Sequence, residues 1–429
     1  MSDTDIEKVI CGRAFFNGEL QYTEIGISDG KIVAAGRMVR GGDERVDVGT
    51  SKVILPGFMD PHVHLRDPGM TSKEDFSTGT LAAIHAGVTC ILDMPNTKPP
   101  VTDLDTLMDK KRTVSRRAYT DYGLFAAVTP DINAGMLAPL VPGFKLFMGS
   151  TTGNILLNDD EELIPAVSNA LSTGKRVSVH AEDDSMMLHE TERCTRDHLR
   201  NRPAEAEWNA ITRLARSFRG QRINICHLTT PQGLDLAKEA GFTTEITMHH
   251  MTFDVDRNTG AMFKVNPPIR TAECRDAMRE RFLRGDIDMI GTDHAPHTVD
   301  EKSRDFDSAP GGMPGVETAM PMVMDMVRRG EVPMKLAVGM GAENPCRAFS
   351  VNKGRIAEGC DADLAIFDLR NSCSIDVKRL HSKCGHSEYA GMAAVFPETV
   401  MVRGEIQVED WEFCGDTIGE DICGRGRLF

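Results

Sequence analysis

Two histidines one residue apart, His62 and His64, stand in the stretch Gly57-Phe-Met-Asp-Pro-His-Val-His-Leu-Arg-Asp-Pro-Gly69. Alternate residues of an extended chain point to the same side, so both imidazoles can serve one centre. The pattern is extended further along the chain. Lys145 lies in a short apolar run, and His180 and His227 each close one. Asp293 closes another, in Gly291-Thr-Asp-His-Ala-Pro-His297. Imidazole nitrogen and carboxylate oxygen suit zinc at about 2.0–2.2 Å. Two such ions about 3.5–4 Å apart can share a bridging hydroxide and clamp both attacking and leaving atoms. Lys145 needs a different argument, because an ammonium does not ligate a cation. It reads either as an ion-paired core lysine or as the carbamate formed with carbon dioxide, which is anionic and can bridge two metals. Residues 146–157 contain no Asp or Glu to take the bridging place instead.

These residues need elements that bring them together. Eight short apolar runs bounded by turn residues lie between residues 53 and 294: Val53–Phe58, Val88–Met94, Tyr122–Val128, Phe144–Met148, Val177–Val179, Ile223–Cys226, Thr243–Thr247 and Ile287–Ile290. Helical spacing fills the intervals at Ser72–His85, Leu104–Arg117, Leu163–Thr173, Ala204–Ser217 and Pro231–Ala240. Strands alternating with helices of this length predict parallel βαβ units. Eight units in a span of this size fit an α/β fold of the (β/α)8 TIM barrel type, whose active site forms at the C-terminal ends of the strands. A doubly wound sheet would want a glycine-rich phosphate turn after its first strand; here that strand leads into His-x-His.

The flanks read as strands. Ile25-Gly-Ile27, Asp29-Gly30 and Ile32-Val33 form a hairpin signature with an Asp-Gly turn, and residues 361–369 and 399–408 are also strand-like. The expected architecture is a barrel at 55–337 and a small β-sandwich domain built from both termini, 1–54 and 338–429.

Composition narrows the class. The chain has 429 residues, 41% hydrophobic and 26% charged, as in an ordinary globular protein. Its net charge of −15 argues against a nucleic-acid partner or an anionic membrane surface. No apolar run reaches about 18 residues, so no membrane span is expected. The acidic start Met1-Ser-Asp-Thr-Asp5 lacks the apolar stretch of a secretory signal. The 11 cysteines include no Cys-x-x-Cys pair, and are read as reduced thiols of a cytoplasmic protein.

With these residues on the page, the chain is similar to the amidohydrolase superfamily and, within it, to the dihydroorotases. Asp60-Pro-His-Val-His-Leu-Arg-Asp-Pro-Gly69, Asp93-Met-Pro-Asn-Thr97, Lys264-Val-Asn-Pro-Pro-Ile-Arg270 and Asp293-His-Ala-Pro-His297 carry the likeness, with flanks at Gly359–Leu364 and Lys383-Cys-Gly385. His-x-His alone marks only the superfamily; the following Arg and the later Asp-His-Ala-Pro-His separate dihydroorotases from dihydropyrimidinases and allantoinases. The resemblance implies that His62, His64 and Asp293 hold one zinc, that His180 and His227 hold a second, and that carboxylated Lys145 bridges them. It implies a substrate-carboxylate clamp of Arg66, Asn96 and His297, with Asn266 and the backbone of Pro310 and Gly311 facing the ring edge. The implied reaction is the reversible cyclisation of carbamoyl aspartate to dihydroorotate, with a metal-bridging hydroxide as nucleophile and Asp293 as general base and acid. A homo-oligomer, or association with aspartate transcarbamoylase, is the implied partner. Some bacterial relatives place a bridging Asp a few residues after the lysine; Gly149-Ser-Thr-Thr-Gly153 stands there in this chain.

The remaining histidines take plainer readings. His85 is expected to pack, His189 and His198 to be solvated, and His294 to point away from the metals. His249 and His250 follow the seventh run, where a ligand could sit. Residues 295–315 form a long connection at the barrel mouth, read equally as a lid or as an ordinary surface loop. Two other readings stay open: a hydantoinase- or allantoinase-type cyclic amidase that shares the metals without the clamp, and a metal-free, non-catalytic relative that serves in assembly.

Overall fold

The computed structural model describes residues 6–151, 153 and 155–424. Eight parallel strands follow one another with helices between them. The first three are Phe58–Val63, Val88–Asp93 and Asp121–Leu124, and the third continues after Phe125 as Ala126–Ala127. Gly143–Phe147, Arg176–His180, Ile223–Ile225, Thr243–Ile246 and Met289–Ile290 complete the set. A parallel bridge between Val63 and His294, with His64 N–H donating to His294 O (2.8 Å), joins the last strand region to the first and closes the barrel.

The helices start where short polar side chains satisfy the free N–H groups of a first turn. Asp75 caps Phe76–His85 and Asp103 caps Leu104–Val114, each in a reciprocal capping box with a threonine three residues on. Asp159 caps Asp160–Ser172, and Thr230 caps Pro231–Glu239, whose proline sits at the first helical position. Ala204–Phe218 has six buried residues on its inner face. One apolar core fills the layer between strands and helices, with Leu124, Phe144, Val179, Ile225 and Ile246 among its members, while Met59, Cys90, Leu92, Phe125 and Met289 from the barrel strands form a second cluster.

Outside the barrel lies a connected nine-stranded sheet made from both ends of the chain. Lys8–Phe16 and Glu19–Ser28 pair antiparallel, and Glu19–Ser28 pairs with Lys31–Gly36 through the predicted Asp29-Gly30 turn. Leu364–Phe367 and Thr399–Val402 complete the join from the C-terminal side. Ile10, Ile25 and Ile32 from one end share a core with Leu364, Ile366 and Met401 from the other, which is why neither half closes without its partner.

Two expectations are corrected. The predicted first barrel run, Val53–Phe58, is divided at Gly57: Val53–Pro56 belongs to the terminal sheet, and the barrel strand begins at Phe58 and itself carries His62. A Cβ on Gly57 would lie 2.3 Å from Thr89 Oγ1, so the crossing point tolerates no side chain. The stretch Glu405–Asp421, whose acidic sequence reads as a solvated face of the β domain, is not wholly one, because Asp421 bridges to Tyr122 on the third barrel strand and pairs with Lys111.

A buried ionic cluster also ties the two parts together. The Lys353 ammonium lies 2.6 Å from Asp121, 2.6 Å from Asp363 and 2.8 Å from Asp361. Arg403 pairs with Asp121 and Lys31 with Asp361, so three cations balance three carboxylates. No cysteine is in a disulfide, and no helix among the described residues is long and apolar enough to cross a membrane.

Candidate metal and active site

The barrel gathers the candidate ligands at one mouth. His62 lies on the first strand and His64 just beyond it; their Nε2 atoms stand 3.4 and 3.0 Å from Asp293 Oδ1. These three side chains form one group of donors with ligand atoms within 4.8 Å of one another. On the other side, His180 Nδ1 lies 3.1 Å from His227 Nε2. Lys145 reaches in from the fourth strand, fully buried, with Nζ 3.0 Å from Cys226 Sγ and 5.2 Å from the centre of the Phe147 ring. Among the described residues no carboxylate lies within ion-pair distance of its ammonium.

Acceptors behind the imidazoles fix which ring nitrogen faces inward. His62 Nδ1 faces Glu245 Oε2 at 3.2 Å, His64 Nδ1 faces Asn96 Oδ1 at 2.7 Å, and His180 Nε2 faces Glu182 Oε2 at 2.8 Å. Each of these nitrogens therefore carries the proton, and the opposite nitrogen presents a lone pair to the centre, an arrangement typical of metal-ligating histidines. Arg202 anchors Glu182 at 2.6 Å. Although burial alone would raise it, Arg202 and His180 hold the Glu182 carboxyl below the ordinary range. Burial pushes His62, His64, His180 and His227 down, and Lys145 adds to the effect at each. Neutral imidazoles are the ligating form.

The donor set fits a divalent cation. His227 Nδ1 is buried without a hydrogen-bond partner among the described residues, while its Nε2 meets the lone pair of His180 Nδ1. A cation between them would satisfy both lone pairs. Two buried imidazoles on one side, and two imidazoles with a carboxylate on the other, suit zinc.

Beside this centre sits an anion-binding corner. Arg66 is buried, with Nε donating to Pro296 O (3.2 Å) and Nη2 lying 3.2 Å from His297 Nε2. Burial lowers its pKa to about 10, so it remains a cation at neutral pH. Lys73 donates to His297 Nδ1 (3.0 Å), so His297 Nε2 carries the proton and donates to Gly311 O (3.1 Å). Burial and the neighbouring Arg66 keep His297 neutral. Asn96 is in the same cavity, but its carbonyl oxygen is engaged by His64. Asn266 Oδ1 accepts from His198 Nε2 (2.9 Å), and a Cβ on Gly311 would come within 3.2 Å of the Asn266 amide. Pro310 turns its carbonyl away, towards Lys302.

Three of the chemical groups sit on unusual backbone. Arg66, His227 and Asp293 have φ of 61°, 37° and 47°, a region that residues other than glycine seldom occupy. Outliers of this kind cluster at functional sites.

Several contributors escaped the sequence reading. His198 is not solvated; it is buried and bonded to Glu192, Val265 O and Asn266. Glu245 and Lys73 act through residues far away in sequence, and Glu182 through His180, two residues before it. The only advance sign was a carboxylate inside an apolar strand run, Thr243-Thr-Glu-Ile246. His85 packs as expected, its ring stacked on His381 with centroids 3.7 Å apart, and His294 points away, its Nδ1 accepting from Gly315 N–H (3.1 Å). His250 bonds to Thr247 and Pro267 O, and His249 is buried beside it. The 295–315 connection is no free loop, since Lys264 holds its Phe306 carbonyl and its own Lys302 holds those of Pro310 and Gly312. Of the stretch after Lys145, Thr152 and Asn154 lie outside the described residues. Larger cavities lie elsewhere, about 370 Å³ between His85, Glu317, Phe396 and Trp411 and about 380 Å³ beside Leu188, Glu192 and Arg202, but the converging ligands and the buried arginine select this one.

A (β/α)8 barrel with histidine and aspartate ligands at its strand ends defines a class, and sequence comparison agrees: the amidohydrolase family matches residues 53–407, and the chain belongs to that family. Within it, the relatives in sequence are dihydroorotases. The dihydroorotase of Methanosarcina mazei is 35% identical over 97% of each chain, and that of Pyrococcus abyssi is 35% identical over 98% of this chain and 100% of its own. Among solved structures, the L-hydantoinase (dihydropyrimidinase) from Arthrobacter aurescens superposes with a TM-score of 0.89 at 25% identity, over 97% of this chain and 99% of its own. The dihydropyrimidinase from Brevibacillus agri gives 0.86 at 26% identity, over 96% and 98%.

Proposed function

We propose that the chain interconverts N-carbamoyl-L-aspartate and L-dihydroorotate, the dihydroorotase reaction of pyrimidine synthesis. The observation that carries this reading is the pairing of a histidine–aspartate donor cluster with a buried arginine at the same barrel mouth. A cyclic amide bearing a carboxylate needs both.

In this reading His62, His64 and Asp293 hold one zinc ion and His180 and His227 a second. Lys145, as a carbamate, would be a further ligand for them; its full burial without a carboxylate partner supports an altered, anionic form. Zinc bound there supplies Lewis acidity, bringing the pKa of water to about 7 and polarising an amide carbonyl. Arg66 receives the substrate carboxylate, its fork matching the two oxygens. Asn96 and His297 flank that carboxylate, while Asn266 and the Gly311 backbone face the ring edge; the Pro310 carbonyl, expected there from the sequence, is drawn to Lys302 instead. In the hydrolytic direction Asp293 takes the proton of the attacking water and hands it to the departing ring nitrogen. In the synthetic direction Asp293 takes the ureido proton as the ring closes. Closure consumes one carboxylate charge and one proton, so lower pH favours the cyclic product.

The barrel expected at 55–337 is taken to begin at Phe58, because Val53–Pro56 pairs in the terminal sheet; the residues before it and 338–429 are taken as the accessory β domain, and the enzyme is assigned to the cytoplasm. Self-association, or a complex with aspartate transcarbamoylase, is the remaining partner proposal, which light scattering of the chain alone and mixed with that enzyme would decide.

The test is the purified chain supplied with zinc and bicarbonate. Opening of dihydroorotate, two metals per chain and loss of activity when carbon dioxide is stripped out are expected. A chain that binds no metal and leaves dihydroorotate intact overturns the reading.

A further inference from the structure

Lys302 ends the short helix Val299–Lys302, and only 2% of the residue is exposed. Its Nζ donates to three backbone carbonyls: Lys264 O at 3.1 Å, Pro310 O at 3.1 Å and Gly312 O at 2.9 Å. An ammonium has three protons, and these acceptors use all of them. Among the described residues no carboxylate lies within ion-pair distance of it. Burying a charge without an ion partner is expensive, and an apolar side chain of similar length would fill the same space more cheaply. The positions of the three carbonyls suggest a role beyond filling space.

Lys264 lies two residues before Asn266, and Pro310 and Gly312 flank Gly311. Gly312 N–H also donates to Lys264 O (2.9 Å), so the segments ending the seventh and eighth barrel units meet at one carbonyl under the Lys302 ammonium. Asn266 and Gly311 both line the cavity that holds Arg66 and Asp293. The Pro310–Gly311 peptide is not among the cis bonds of the chain. In a trans peptide the C=O and N–H point to opposite edges, so drawing Pro310 O onto Lys302 turns Gly311 N–H the other way. Gly311 O is held from a third direction by His297 Nε2 (3.1 Å). Further out, Lys264 Nζ repeats the device, donating to Phe306 O (2.9 Å) while pairing with Glu192 (3.0 Å).

We propose that Lys302 is a positioning residue for substrate binding: by gathering three carbonyls it sets the Asn266 and Gly311 segments as one wall against the ring edge. This rests on the dihydroorotase reading for the identity of the ring. The charges around Lys302 agree with a group held for geometry: burial lowers its pKa to about 8, Glu388 opposes that shift, and Lys264 and Arg66 add to it.

The test compares Lys302→Met, which keeps volume without donors, with Lys302→Gln, which keeps two amide protons. In each, KM and kcat for dihydroorotate, metal content, and hydrogen exchange of the 308–314 amides are measured. Lys302→Met is expected to raise KM about tenfold, with kcat changed less than about threefold, metal content unchanged and 308–314 exchange faster; Lys302→Gln falls between it and the parent. A KM within about twofold of the parent overturns the proposal, whether or not exchange is faster. If Lys302→Met does not fold, Lys302→Gln carries the same comparison, with a KM rise of about threefold expected. A parent inert towards dihydroorotate would remove the functional reading instead; exchange would then decide alone, faster 308–314 exchange supporting the wall and unchanged exchange overturning it.

Discussion

Glu245 faces the Nδ1 nitrogen of His62 across 3.2 Å and accepts a second bond from Asn224 at 2.5 Å. The carboxylate thereby sets the orientation of a ring whose other nitrogen points at Asp293. Groups that orient a ligating histidine typically account for 10–100-fold in metal affinity. Glu245→Ala should weaken zinc binding by about that factor while His62 itself remains. Competition with a chromogenic chelator measures it, and an unchanged affinity would remove Glu245 from the site.

Asp293→Asn should keep the fold and lose about a thousandfold or more in turnover. Asparagine tolerates the left-handed backbone that Asp293 occupies (φ 47°) nearly as well as aspartate, so loss of activity would report the missing proton acceptor and ligand rather than a collapsed loop. Circular dichroism and steady-state rates together check this; full activity in the variant would sink the proton-transfer role.

Arg66→Ala separates dihydroorotate from uncharged cyclic amides. Charge-assisted bonds are worth about 1.5–3 kcal/mol, so kcat/KM for dihydroorotate should fall by roughly 10–150-fold. Any activity on hydantoin should change far less. Equal losses on both substrates would favour a hydantoinase-type enzyme with no carboxylate clamp.

Lys353 offers a stability test remote from the chemistry. Its ammonium is buried against Asp121, Asp361 and Asp363, and removing one partner from such a cluster leaves carboxylates uncompensated. Lys353→Met should cost about 3–5 kcal/mol, read by denaturant unfolding. A loss below about 1 kcal/mol would mean the carboxylates find other compensation.

His85 supplies a pH dependence. Burial, with the adjacent His381, lowers its pKa from 6.5 to about 4. A histidine with a depressed folded-state value contributes stability that is present above pH 6.5 and is lost as pH falls towards 4, because the unfolded chain takes up the proton first. Melting temperatures of the parent should therefore drop over that window more steeply than those of His85→Gln. Parallel curves would show that His85 takes up its proton alike in the folded and unfolded chain, and would remove the effect of its burial.

Much of this was legible in one dimension. Strand runs and helix intervals survive because burial on both faces of a parallel strand leaves continuous apolar stretches. His62, His64, Lys145, His180, His227 and Asp293 could be picked out because unusual side chains interrupt or close those stretches. What could not be read depends on pairings set only by folding. Glu245 is one strand among eight until the barrel brings it behind His62. His198 looked solvated in its charged surroundings until Asn266 and Val265 closed over it. The division of the first run at Gly57 followed from contact with Thr89, which no local pattern announces.

The left-handed backbone at Arg66, His227 and Asp293 has a consequence for how this sequence can change. Each position would be relaxed by glycine, the one residue that adopts such angles without penalty. Selection for thermal robustness alone would therefore drift toward glycine at the positions where the chemistry resides. A hardened descendant of this chain would be expected to be sturdier and inert, so pressure for activity must act continually to keep those three side chains in place.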